Sequence, residues 1–290
     1  MCSGSDRSAG ALRHTRDLTR APVAQGFSPA ISAVAIVLLA GTLLGASGPP
    51  PLRVCADPNN LPFSNQHEEG FENRIARFLA RDLHRPLEYF WSPQRRGFIR
   101  TTLNAQRCDV VMGVPAGYGA LQPTRAYYRS SYAFVTRHDR HRHIRSFDDE
   151  RLKRLTIGIQ VTGDDYNNPP AAQALASRHL AQNVRGFTVY GDYSKPDPQR
   201  DLVDAVADGR IDVAVMWGPT AGYFARREPT PLDVVPIDAD NDGPSLPLAF
   251  DIAMGVRRND AALREALDAF IVRRSAEIRR ILITYGVPLR

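Results

Sequence analysis

The chain has 290 residues, with 37 Lys+Arg against 31 Asp+Glu, 43% hydrophobic residues and 3 cysteines. That length and apolar content allow one large domain or two lobes with real cores, and they exclude a disordered, collagen-like or heptad-repeat chain. The formal charge of +6 does not mark a nucleic-acid binder: Lys153 and Lys195 are the only lysines, and the arginines are scattered without a basic helix or an aromatic-interleaved stripe.

Residues 1–46 read as a signal peptide. Arg7, Arg13, Arg16 and Arg20 precede an uncharged stretch whose apolar centre, 31–46, is short for a membrane span of ~20 residues and suits a cleavable export signal. Gly45, Ala46, Ser47 and Gly48 offer small residues for cleavage, after which no stable membrane anchor remains; an uncleaved anchor is the alternative. Removal leaves 33 basic against 29 acidic residues and only Cys55 and Cys108. In an oxidising compartment this even pair reads as one disulfide, provided the strands that carry it are neighbours; two buried thiols are the alternative.

After Pro51 the pattern alternates strands and helices, which predicts an α/β fold with mostly parallel sheets. Strands are expected over 52–56, 87–91 and 109–114. Helices are expected over 71–83, where Phe71, Ile75, Phe78, Leu79 and Leu83 keep helical spacing, and over 97–105. Residues 127–137 read extended and 138–145 as a charged connector. A second unit follows: strands over 155–160, 187–190 and 211–217, helices from 169 through His179 and over 199–207. An extended 250–256 and a long helical tail over 260–285 close the chain. Leu103–Met112 is echoed by Val206–Met216, with Asp109-Val110 answering Asp212-Val213. Two lobes built alike imply a two-lobed architecture that binds ligands at strand C-terminal ends, where the lobes face each other.

The string RVCADPNNLPFS (53–64) with GFE (70–72) resembles the opening of type II periplasmic solute-binding proteins. AYYRSSYAFV (126–135) resembles their hinge strand, and DGRIDVAV (208–215) the last strand of their second lobe. Four ordered phrases narrow the likeness: CADPNNLPFS (55–64), PQRRGF (93–98), RCDVVMGVP (107–115) and GDDYNNPPA (163–171) are similar to the quinoprotein methanol dehydrogenase-associated binding proteins of the MxaJ/XoxJ type. The resemblance implies a two-lobed fold with a hinge and an interlobe cleft. Lobe I would comprise 52–137 plus 244–290 and lobe II 145–238, with connectors at 138–144 and 239–243. It also implies a periplasmic, non-catalytic accessory protein of a PQQ-dependent methanol or alcohol dehydrogenase. The dehydrogenase is the expected partner and its cytochrome c a second candidate; a small-molecule ligand would occupy the cleft, and no cofactor is expected. The alternative is a solute-binding protein that delivers a small neutral or apolar solute to an importer.

The cleft is expected to be lined by Asp57, Asn59, Phe63, Glu72, Trp91, Arg95, Tyr118, Arg125, Thr162, Asp164 and Trp217. Against this stands a plainer reading for several of them: Asp57 and Asn59 as turn formers, the two tryptophans as packing at strand ends, Arg95 as a solvated loop residue. Amino-acid-binding relatives clamp the ligand carboxylate with an Arg after strand three, in a Ser-x-Thr-x-x-Arg frame. Residues 114–125 lack that frame, and only Arg125 stands nearby. Met216-Trp217-Gly218-Pro219 occupies the place of the Asp that meets the ligand ammonium. Losing both charges argues against an α-amino acid ligand. Asp238 to Gly243 matches half of an EF-hand loop, but its twelfth position is Ala249, and arginines interleave His138, His141 and His143, so no metal site is expected. No nucleophile elbow, phosphate loop or zinc-protease motif occurs. If the cleft were catalytic, Glu72 and Asp164 would be the acid/base pair.

Overall fold

The computed structural model describes residues 48–161, 169–188, 193–238 and 246–290. The expected signal peptide over 1–46, Thr162, Asp164 and residues 239–243 of the acidic string lie outside them.

Strand β1 (Leu52–Ala56) is buried on both faces: Leu52, Val54 and Ala56 enter the main core, while Cys55 faces a smaller cluster with Phe98, Leu103 and Val111. Double burial is what a central parallel strand requires. Two short strands, β2 (Asn59–Asn60) and β3 (Ser64–Asn65), shape the loop that follows. Helix α1 (Phe71–Asp82) buries Phe71, Ile75 and Leu79 as their spacing predicts. It starts at Gly70, where a Cβ would lie 1.9 Å from the Phe63 carbonyl oxygen, so only glycine permits this entry. Strand β4 (Leu87–Trp91), the single-turn helix α2 (Phe98–Thr101) and strand β5 (Val110–Pro115) complete this part; α2 is shorter than the helix expected over 97–105.

Strand β6 (Gln122–Arg137) starts five residues earlier than expected and spans both halves of the molecule. The second half contains β7 (Ile157–Val161), α3 (Pro170–Ser177), β8 (Val184–Thr188), α4 (Asp201–Ala207), β9 (Val213–Trp217), α5 (Gly218–Ala225) and β10 (Leu232–Pro236). Helix α5 and strand β10 carry no clear sequence signal. The chain returns along β11 (Ala249–Val256) and ends in α6 (Ala261–Arg273) and α7 (Ser275–Thr284). The single helical tail expected over 260–285 is thus broken at Arg274. Arg273 and Arg274 both bind the Asp82 carboxylate at this corner (2.6 and 2.9 Å), and the bend lets Leu267, Phe270, Ile278 and Leu282 share one core.

Among the described residues nine strands form one continuous sheet in the order β4-β1-β5-β11-β6-β9-β7-β8, with β10 also on β6, while β2 and β3 pair with each other. The expectation of mostly parallel sheets needs correction. β4-β1-β5 and β8-β7-β9 are each parallel, but the strands between them, β11 and β6, pair antiparallel with their neighbours. The cause is topological: β6 carries the chain out of the first half and β11 brings it back, so each opposes the parallel set it joins. β6 pairs with β11 up to Ser131 and with β9 from Tyr132, which places the change of partner at one peptide.

The sequence echo has a structural counterpart. The Asp109 N–H donates to the Arg53 carbonyl (2.7 Å) and its carboxylate accepts from the Arg53 N–H (3.1 Å). In the second half the Asp212 N–H donates to the Thr156 carbonyl (2.9 Å) and its carboxylate accepts from the Thr156 N–H (2.9 Å). Each aspartate therefore registers the start of one parallel strand against its neighbour. Cys55 and Cys108 form a disulfide, with Cα atoms 5.5 Å apart, which ties β1 to the residues entering β5.

Candidate functional site

A cavity of about 320 Å³ lies where the strand ends of the two halves meet. β5 contributes Gly113 to Pro115, β6 contributes Tyr128 and Tyr132, and β11 contributes Ile252. The second half contributes Gln160 at the end of β7, Trp217 at the end of β9 and Thr220 of α5. Phe63 and Asn60 come from the loop around β2 and β3, and Glu72 from the first turn of α1. Tyr128 and Tyr132 are four residues apart on one strand and so share a face. The Trp217 ring meets Tyr132 edge-on at 5.7 Å.

Glu72 is the one acidic residue among the described cavity lining, which contains no Lys, Arg or His. A Cβ at position 113 would stand 2.2 Å from Glu72 Oε1, so Gly113 makes room for the carboxyl. Burial first, and the negative charge of Asp57 second, push the Glu72 carboxyl up to about 8. Burial and Glu72 likewise hold the Tyr128 hydroxyl well above its ordinary range.

Beside the cavity, a set of polar contacts bridges the halves. Asp57 is 2% exposed; its Oδ1 accepts from the Asn59 N–H (2.8 Å), and its Oδ2 from the Gln94 N–H (2.6 Å) and the Tyr193 hydroxyl (2.8 Å). Asn59 Nδ2 donates to the Lys195 carbonyl (2.8 Å), while Asn59 Oδ1 accepts from the Asp197 N–H (3.3 Å). Gln199 Nε2 donates to Asn60 Oδ1, and Gln199 Oε1 accepts from the Thr220 hydroxyl (3.2 Å). The Arg95 guanidinium lies 5.3 Å from the centre of the Tyr193 ring. Asp57 and Asn59 shape their turn and also fasten the first half to the segment 193–199.

Of the residues expected to line the cleft, Phe63, Glu72 and Trp217 line this cavity, and Asp57, Asn59 and Arg95 join the bridging contacts. Three others stand elsewhere. Trp91 stacks on Tyr89 at 4.6 Å, because residues two apart on β4 share a face of that edge strand. Tyr118 sits in the turn after β5 and is 43% exposed. The exposed Arg125 donates its backbone N–H to Asp268 of α6 (2.7 Å) and does not line the cavity, so it supplies no carboxylate clamp there. Thr162 and Asp164 are outside the described residues, and so is the suggested Glu72–Asp164 pair. Asp238 meets Arg290 at 3.4 Å, Ala249 is a strand residue paired with Ser131, and His138 binds Asp233 at 2.8 Å. Among the described residues no cluster of three or more His, Cys, Asp or Glu is arranged for a metal ion. Sequence reasoning missed Gln94, Gln160, Tyr193, Gln199 and Thr220; only Tyr128 and Tyr132 had a usable signal, in the two-residue period of an extended segment.

The continuous sheet, the strand that changes partners between halves and the cavity at the strand ends define a two-lobed periplasmic binding protein fold. Solved structures agree: MxaJ from Methlophaga aminisulfidivorans MPT has a TM-score of 0.72 at 28% identity, covering 82% of this chain and 100% of that one. The periplasmic binding protein XoxJ from Methylobacterium extorquens AM1 has a TM-score of 0.67 at 32% identity, covering 82% and 99%. An ancestral cationic amino acid solute binding protein shares the fold alone, with a TM-score of 0.63 at 18% identity. The chain is 33% identical over 245 residues to Protein MoxJ of Methylorubrum extorquens (82% of this chain, 81% of that protein) and 30% identical over 250 residues to Protein MoxJ of Paracoccus denitrificans (82% and 88%). It belongs to the MoxJ family, together with MxaJ and XoxJ. No family model matches it.

Proposed function

We propose that the protein is an exported, non-catalytic accessory of a PQQ-dependent methanol or alcohol dehydrogenase, assisting its maturation or activation by protein contact in the periplasm. The observation that carries this reading is similarity to MoxJ, MxaJ and XoxJ across 82% of the chain. The cavity is consistent with it, because the described lining offers no cationic clamp for a zwitterionic nutrient. Residues 52–137 with 244–290 form lobe I in this reading and 145–238 lobe II, joined by 138–144 and 239–243. Among the described residues no helix is long and apolar enough to cross a membrane.

The test is capture of the purified apo-dehydrogenase by the secreted protein, followed by dehydrogenase activity with and without it. Binding with higher activity supports the proposal; neither binding nor activation refutes it, and capture of the cytochrome c alone moves the partnership there. The aromatic, weakly charged cavity favours one second reading, delivery of a small neutral or apolar solute to an importer. That reading expects a specific solute to raise the unfolding temperature and a permease to accept the loaded protein.

A further inference from the structure

The Glu72 carboxyl enters the cavity without a hydrogen bond to any described residue, and the same holds for the Tyr128 hydroxyl and the Gln160 amide. Glu72 and Gln160 are half-buried, so their polar atoms are open to the cavity and available to a molecule that enters it. The ionisable group that acts on Glu72 is Asp57, on the loop after β1, and Glu72 in turn raises Tyr89 of β4 and Tyr127 and Tyr128 of β6. All are anionic or neutral. The Tyr127 hydroxyl is already committed to the Met112 carbonyl (2.9 Å). The described lining holds no Lys, Arg or His to favour the carboxylate, and burial beside Asp57 favours the neutral carboxyl, which carries a proton to donate. Phe63, Tyr132 and Trp217 supply apolar faces around it.

We infer that the cleft binds an uncharged molecule that combines an apolar ring or chain with a carbonyl or hydroxyl oxygen, which accepts a hydrogen bond from the neutral carboxyl of Glu72. An anion is disfavoured because nothing in the described lining answers its charge. A cation would have to ionise Glu72 beside Asp57. The inference concerns the cavity alone, and dehydrogenase capture needs no added small molecule, so either proposal can fail without the other.

Four probes of one shape separate the possibilities: benzamide, benzoate, benzamidinium and toluene. Each is titrated calorimetrically into the secreted protein and its Glu72→Gln and Glu72→Ala variants at pH 6 and pH 9.5. At pH 6 benzamide should bind about tenfold more tightly than the other three, the size expected of one good hydrogen bond. Its affinity should fall at pH 9.5 in the native protein and stay level in Glu72→Gln, whose amide still donates. Glu72→Ala should bind it about tenfold more weakly. Tighter binding of benzamidinium than benzamide would overturn the inference, since Glu72 would then act as an anion. So would a pH response that survives in Glu72→Gln, or the absence of binding by all four probes.

Discussion

Substituting Glu72 by Gln should make the protein more stable, and increasingly so as pH rises. The carboxyl moves from an ordinary 4.5 to about 8 in the folded protein. At about 1.4 kcal/mol per unit, that shift corresponds to roughly 4–5 kcal/mol of stability linked to its proton. The folded state holds the proton more tightly than the unfolded chain. The contribution is therefore complete below about pH 4.5, falls between there and pH 8, and is gone above. Water entering the cavity around the carboxylate would relieve part of the cost, which makes the figure an upper bound. Glutamine fills nearly the same volume and stays neutral throughout. Thermal unfolding of both proteins from pH 5 to pH 9.5 should give nearly equal midpoints at the acid end. At the alkaline end the variant should lead by up to about 8–20 °C, taking about 2–4 °C per kcal/mol for a chain of this size. A constant gap across the range would refute the reasoning, because it would mean that Glu72 titrates alike in both states.

Three further outcomes follow from the geometry. Reducing Cys55–Cys108, which closes a loop of sequence separation 53, should cost about 4 kcal/mol by the loop-entropy relation, measured by denaturant unfolding with and without reductant. Burial alone would raise Asp109, but hydrogen bonds from Arg53 and Arg257 hold it below the ordinary carboxylate range; its stabilisation is present at neutral pH and lost as pH falls through the lowered value. Asp109→Ala should accordingly cost about 3 kcal/mol by unfolding at pH 7, and Asp212→Ala less, since the Asp212 side chain is 35% exposed against 10% for Asp109. Gln199→Leu removes the amide between Asn60 and Thr220 and should destabilise by about 2 kcal/mol; if these contacts hold the halves together, small-angle scattering should show a larger radius of gyration for the variant.

Much of the fold was legible because short-range pattern and burial coincide. Helix α1 is visible in the spacing of Phe71, Ile75 and Leu79, and the parallel strands in apolar runs buried on both faces. Helix α5 escaped because it is buried on every side and shows no amphipathic stripe. Strand β10 escaped because its pairing with β6 joins residues nearly a hundred positions apart. The break in the C-terminal tail is set by Asp82, almost two hundred residues upstream, and no local window contains that partner.

The site divides in the same way. Residues of the loop after β1 and the first turn of α1 belong to contiguous phrases, so Asp57, Asn59, Phe63 and Glu72 could be singled out through the resemblance those phrases carry. Tyr193 and Gln199 could not, because their role depends on the two halves closing against each other. Arg125 was singled out for its chemistry, but it does not line the cavity, and its backbone N–H is bound to Asp268 of α6. Composition and order therefore determined the α/β class, the doubled aspartate motif and the cysteine pair, all of which rest on local pattern or on counting. Which strands run antiparallel, which polar groups bridge the halves and how far Glu72 is withdrawn from water were decided only by the tertiary structure. Solvation and pairing are properties of the neighbours that the fold brings together from distant parts of the chain.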